Sequence, residues 1–137
     1  MRAVVDTNVI AYHVLQTERF AEECTRFWRA VEEPMAPASW EAELVNVLWL
    51  TARKNVITES EALNLLNLAG SLGIRSIAVD ELWHGALSGA HASGLGTNDM
   101  LFVELAMRES VPLATFDKAV IKAFPHLAMH PGKLTKS

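Results

Sequence analysis

The chain has 137 residues, half of them hydrophobic and 20% charged, with a formal net charge of −4. That length fits one domain able to bury a core without disulfides, and the composition excludes a disordered chain. The acidic balance argues against a protein that holds nucleic acid by charge alone, but not against an enzyme whose carboxylates load divalent metal where a phosphate must sit.

Arg2 to Val5 is a short β-branched run that predicts a first strand, with a helix after Asp6 through Val9, Ile10, Val14 and Leu15. Apolar residues at three- and four-residue steps (Phe20, Cys24, Phe27, Trp28, Val31) predict a second helix over Glu18 to Glu32. Pro34 to Ala38 reads as a brief extended segment. Ser39 then reads as the N-cap of a helix running to about Lys54. Thr58 and Glu61 have capping-box spacing for a further helix, which Gly70 and Gly73 punctuate.

Ile74 to Val79 predicts a strand, and Asp80 starts a helix reaching about His91. After a loop with Gly94 and Gly96, Thr97 reads as the cap of a helix over Asn98 to Glu109. Val111 to Thr115 predicts a strand, Asp117 to Phe124 a short helix, and Leu127 to Met129 a last strand. One domain over residues 1–130 is expected, followed by a frayed tail over 131–137. The alternation implies an α/β layer with a mostly parallel sheet, in which functional residues gather beyond the carboxyl ends of the strands.

The lone Cys24 cannot form an intrachain disulfide, and no apolar stretch reaches the roughly 20 residues of a membrane helix. Asp6 ends the N-terminal apolar run before it is long enough for a secretory core, so the expected compartment is the cytoplasm, without a membrane partner.

Four acids fall where that sheet would bring them together. Asp6 follows the first strand, Glu43 lies early in the helix after the second, and Asp117 sits two residues past the strand ending at Thr115. Asp99 occupies the first turn of the preceding helix. Each also has an ordinary structural explanation. Asp6 and Asp117 suit helix caps, and Asp99 complements a helix dipole. Glu43 lies at the margin of the apolar face formed by Trp40, Leu44, Val47 and Leu48, whereas Glu41 points the other way. The five histidines show no ligand pairing such as H-E-x-x-H, and no P-loop, dinucleotide fingerprint or nucleophile elbow is present. The four tryptophans read as core or interface residues.

Val4-Val5-Asp6-Thr7-Asn8 resembles the opening signature of PIN domains. Glu43-Leu44-Val45-Asn46-Val47-Leu48 resembles their Glu-x-x-Asn-x-Leu helix. The segment from Asn98 to Ala106 resembles the one in which an Asp starts a helix, and Leu113 to Asp117 the closing Thr-x-Asp. The four motifs occur in family order over nearly the whole chain, and the layout is most similar to the VapC-type toxins of toxin–antitoxin pairs. One departure is that Asp99 lies between Asn98 and Met100, where the family commonly has an aromatic residue before and Ala after.

The resemblance implies a three-layer α/β fold with a central sheet of about five strands flanked by helices. It implies Mg²⁺ or Mn²⁺ held by Asp6, Glu43, Asp99 and Asp117, with Thr7, Asn8 and Thr115 positioning water or phosphate. It also implies an RNA substrate, a homodimer and a small antitoxin partner. Hard divalent ions prefer carboxylate and water oxygens, which suits four acids. A haloacid-dehalogenase-like phosphatase would need a second Asp where Asn8 stands, and a receiver domain an early acidic pair that is absent. The alternatives that remain are a silent PIN-like interaction module and a housekeeping nuclease without an antitoxin.

Overall fold

The computed structural model describes residues 1–135. Five strands form one sheet in the order β3-β2-β1-β4-β5, and every pair is parallel. They are β1 (Arg2–Val5), β2 (Glu33–Pro37), β3 (Arg75–Ile77), β4 (Leu113–Ala114) and β5 (Ala128–Met129). The helices are α1 (Thr7–Val14), α2 (Ala21–Ala30), α3 (Ser39–Arg53), α4 (Glu59–Gly70), α5 (Trp83–Ser93), α6 (Thr97–Glu109), α7 (Lys118–Ala123) and α8 (Pro131–Leu134). α1 packs on α2, α3 and α4, while α5 pairs with α6, which lies across β1 and β2. This is the expected three-layer fold. Among the described residues no helix is long and apolar enough to cross a membrane.

β1 is central because its residues can be buried on both faces. Ala3, Val4 and Val5 are fully buried, as continuous apolar runs in parallel sheets should be. Around them Ile10, Phe27, Met35, Leu44, Leu105 and Leu113 complete the core, each side chain of that kind stabilising by roughly 1.5–3 kcal/mol when fully buried. The chain leaves β1 toward β2 on one side and returns to β4 on the other. The crevice beyond the carboxyl ends of β1 and β4 is therefore the switch point of the sheet, where ligands collect in such folds.

Several boundaries differ from expectation. Thr58 and Glu61 form the complete capping box. Ser39 and Thr97, expected as caps, are instead the first helical residues, after Ala38 and Gly96, and neither of those helices has a side-chain cap. The helix expected from Glu18 begins at Ala21, behind a turn in which the Phe20 amide donates to Thr17 O at 2.8 Å. The helix expected from Asp80 is first a 3-10 turn, Val79–Glu81, and then α5. The strand expected over Val111 to Thr115 narrows to two residues, since Pro112 has no amide for a ladder. The tail expected to fray is helical from Pro131 to Leu134. The Gly132 amide donates to Glu23 Oε2 of α2 at 2.8 Å, with Pro131 and Gly132 buried. A Cβ at Gly132 would meet that oxygen at 2.7 Å, so a side chain there would displace the Glu23 carboxylate from this position. Residues 136–137 of that tail lie outside the described residues.

Candidate active site

The carboxyl edge of β1 and β4 is stitched by backbone and side chain together. The Asp6 amide donates to Ala114 O at 2.9 Å, bringing the exits of the two strands side by side. Thr115, fully buried just past β4, donates its hydroxyl proton to Asp6 Oδ2 at 2.6 Å and accepts from the Asp117 amide at 3.0 Å. Asn8 braces the same crevice. Its Nδ2 donates to Asp6 Oδ2 at 3.4 Å and its Oδ1 accepts from the Phe116 amide at 3.3 Å. Thr115 and Asn8 therefore fix the acids and the strand exits through bonds inside the protein.

The ordinary explanations sort out differently for the four acids. Asp6 stands at the N-cap of α1, yet its side chain makes no cap bond. Asp117 does cap α7, its Oδ1 accepting from the Ala119 and Val120 amides at 2.9 and 3.3 Å. Asp99 sits in the first turn of α6, a helix anchored by buried Met100, Leu101, Phe102 and Val103. Glu43 is partly buried between the fully buried Leu44 and the buried Trp40 on α3.

Electrostatics link the four in a chain of influences that runs from Asp117 through Asp99 and Asp6 to Glu43. Burial raises the pKa of Asp6 to about 6, with Asp99 and Asp117 adding to the rise and the Thr115 hydroxyl and Thr7 amide opposing it. Glu43 is raised by burial first, then by Asp6 and Asp99. Asp99 is raised by burial and by Asp117. Like charges at short range disfavour one another's ionisation, so this is what carboxylates crowded into one notch must show. The notch has no neutralising partner: none of these acids forms an ion pair among the described residues.

Two hydroxyls lie beside Glu43: Thr7, expected in the site, and Ser39, expected only as a helix cap. The Thr7 and Ser39 hydroxyls oppose the rise in its pKa. Neither meets hydrogen-bond geometry, however, and Thr7 Oγ1, Ser39 Oγ and Glu43 Oε1 are all buried without a partner. Ser39 was legible only as a helix start. Its spacing of four from Glu43 places both on one helical face, which was the available signal.

A buried carboxylate oxygen with no donor is costly unless something positive reaches it. The notch thus suits a divalent cation in the chemistry of its donors: four carboxylates, hydroxyls, and no sulfur or imidazole. Among the described residues no three His, Cys, Asp or Glu side chains are close enough to form a finished cage. Mg²⁺ retains several waters and takes few carboxylates directly, so a loose arrangement fits it better than a tight one.

Sheet order and an acid-lined switch point define a doubly wound α/β domain with a carboxylate site at its carboxyl edge. The chain belongs to the PIN domain family, whose model matches residues 3–126. It is 30% identical over 131 residues to the ribonuclease VapC3 of Pyrobaculum aerophilum, covering 93% of this chain and 98% of that protein. Its fold is similar to that in the crystal structure of VapBC2 from Rickettsia felis bound to a promoter DNA fragment. That match has a TM-score of 0.65 at 14% identity, over 95% of this chain and 98% of that one. It is also similar to the crystal structure of a Pyrobaculum aerophilum protein, with a TM-score of 0.70 at 16% identity, over 98% of this chain and 93% of that one.

Proposed function

We propose that this chain is a metal-dependent endoribonuclease that cleaves single-stranded or loop RNA, and that it is the toxin of a toxin–antitoxin pair acting in the cytoplasm. The observation that carries the reading is the uncompensated notch: Asp6, Glu43 and Asp99 each raised by neighbouring acids, Asp117 among them, with Glu43 Oε1 buried and unpartnered. The relative named as a ribonuclease, matched over nearly its full length, supports the activity. The structural neighbours from toxin–antitoxin complexes support the biological setting and a small antitoxin partner. The exposed apolar residues of α3 and α4, Val45, Trp49 and Leu63 among them, are consistent with a homodimer or an antitoxin contact.

Asp6, Glu43, Asp99 and Asp117 would hold Mg²⁺ or Mn²⁺. When bound, the ion supplies Lewis acidity toward a phosphate oxygen and toward water. The chain supplies the rest. Thr115 and Asn8 hold Asp6 Oδ2, which leaves Oδ1 free of side-chain partners. The cap bonds to Asp117 both fall on Oδ1, which leaves its Oδ2. Each of these two acids thus presents one fixed oxygen. The Thr7 hydroxyl, buried beside Glu43, lowers the pKa of that carboxyl and so favours its ionised form. Asp6, with a pKa near 6, retains part of its proton around neutral pH and releases it when a cation enters.

The test is cleavage of a labelled single-stranded RNA by purified protein with Mg²⁺ or Mn²⁺, with and without excess chelator. Cleavage only with metal is expected. Undiminished cleavage in chelator would overturn the metal mechanism, and no cleavage under any condition would leave the silent interaction module.

A further inference from the structure

The acids explain where a phosphodiester would be cut but not what holds the RNA, since an acidic notch repels a polyanion until metal arrives. A second feature answers that need. A cavity of about 590 Å³ opens where α2, α7 and α8 meet, and it is lined by Glu23, Arg26, Lys118, Lys122, His130 and Lys133. Four of the chain's 12 lysines and arginines face this one cavity, in a chain of net charge −4. Its single acid is occupied: Glu23 Oε2 accepts from the Gly132 amide at 2.8 Å and lies 3.7 Å from His130 Nδ1. Arg26 pairs only with exposed Glu22, at 3.3 Å. Lys118, Lys122 and Lys133 are exposed and form no ion pair among the described residues.

The cavity lies beside Asp117. Lys118 directly follows Asp117, whose carboxylate caps the helix carrying Lys118 and Lys122. Phe116, on the other side of Asp117, packs edge-on against His130 of the cavity wall, with ring centroids 5.2 Å apart. Lys118 and Lys122 are one helical turn apart, about 6 Å along the axis, and so share a face. By contrast Arg53 stacks over Trp49 at 5.2 Å, at the far end of α3, about 15 Å along the helix from Glu43.

From this geometry we infer that the α2–α7–α8 cavity binds the backbone phosphates of single-stranded RNA next to the scissile one, with Lys118, Lys122 and Lys133 as phosphate contacts. The inference rests on the nuclease reading above and names the surface that gives it affinity. Phosphate contacts set register and carry the salt dependence of binding, independently of base identity.

The test separates binding from chemistry. Anisotropy of a labelled single-stranded oligoribonucleotide in excess chelator would be measured for the parent, for Lys122→Glu/Lys133→Glu, and for Arg53→Glu/Lys54→Glu as the remote control. The cavity variant should bind at least about tenfold more weakly. Its slope of log affinity against log salt should fall by about 1.4, at about 0.7 per lost contact. The remote variant should match the parent, and Lys122→Arg/Lys133→Arg should retain binding. All four side chains are exposed, and matching thermal melts would verify the fold. With Mn²⁺, the cavity variant should raise KM for a long RNA while kcat holds. Unchanged affinity and slope in a cavity variant whose parent cleaves RNA would overturn the cavity and leave the nuclease. Binding lost in the cavity variant of a parent that cleaves nothing would overturn the nuclease reading and keep the cavity as an RNA site. Equal, cavity-dependent binding of polyglutamate would mark the surface as a dock for an acidic protein segment and overturn the RNA assignment.

Discussion

The two ends of the same strands carry opposite electrostatic designs. At the amino end of β1 the charges are paired. The Met1 amino group meets Glu32 at 3.0 Å, and Arg2 meets Glu33 at 2.9 Å and Glu109 at 3.2 Å. At the carboxyl edge, four residues past Arg2 along β1, Asp6 lies with three further acids that form no ion pair among the described residues. The β1 end of the first edge is neutralised as folded. The second is left uncompensated among the described residues, and the proposed metal is what would complete it. Repulsion tolerated at one edge of a well-packed sheet marks where stability has been given up for chemistry.

The strongest way to break this contrast is Asp6→Asn. Metal-dependent RNA cleavage should fall by roughly 10²-fold or more in initial-rate assays. The same substitution should remove a pH dependence of metal-free stability. Asp6 has its pKa raised to about 6 in the fold, against 3.8 ordinarily. Between those values the folded state binds more protons than the unfolded chain, so stability falls as pH rises from about 4 to about 6 and is level above that. The shift corresponds to roughly 3 kcal/mol. Urea titrations in chelator across that range should show the decline in the parent and a flatter curve in Asp6→Asn. A parent curve that instead rises through this window would refute the raised pKa.

Asp99→Asn sharpens the comparison with a smaller effect of two signs. In chelator it should melt at or above the parent's temperature, because one repelling charge is gone. With Mn²⁺ it should gain less than the parent, whose own gain is about 2.7 kcal/mol at a hundredfold excess over the dissociation constant. Were Asp99 merely complementing its helix dipole, the mutant would lose about 0.3–1 kcal/mol in chelator and respond to metal as the parent does. Paired thermal melts distinguish the two. The smallest effect belongs to the amino edge. Arg2→Ala should lower stability by only about 0.2–1 kcal/mol, its partners being partly or largely exposed, and should leave the Mn²⁺ response intact.

Much of this was legible in the residues taken in order. The β-branched run before Asp6, the Thr58–Glu61 capping box and the spacing of Trp40, Leu44 and Leu48 report interactions that close within a few residues, so local pattern reveals them. Alternating strands and helices imply a parallel sheet, and the carboxyl-edge rule then gathers Asp6, Glu43, Asp99 and Asp117. Their order and context were enough to raise the PIN resemblance. The same reasoning misread Ser39 and Thr97 as caps, because cap preference is a local statistic and the tertiary fold started each helix one residue sooner.

What the tertiary structure alone decided are the bonds that close over long stretches of chain. Thr115 donates to Asp6 across 109 residues and so becomes a brace for the acids. Glu23 reaches Gly132 across 109 residues and orders a tail whose composition reads as frayed. Arg26, Lys118, Lys122 and Lys133 are ordinary solubilising charges along the sequence, and only the packing of α2 against α8 beside α7 makes them walls of one cavity. Helix and strand follow from neighbours three, four or two residues away. Which charges share a space, and whether they arrive with partners, depends on where distant segments come to rest, and no local pattern carries that.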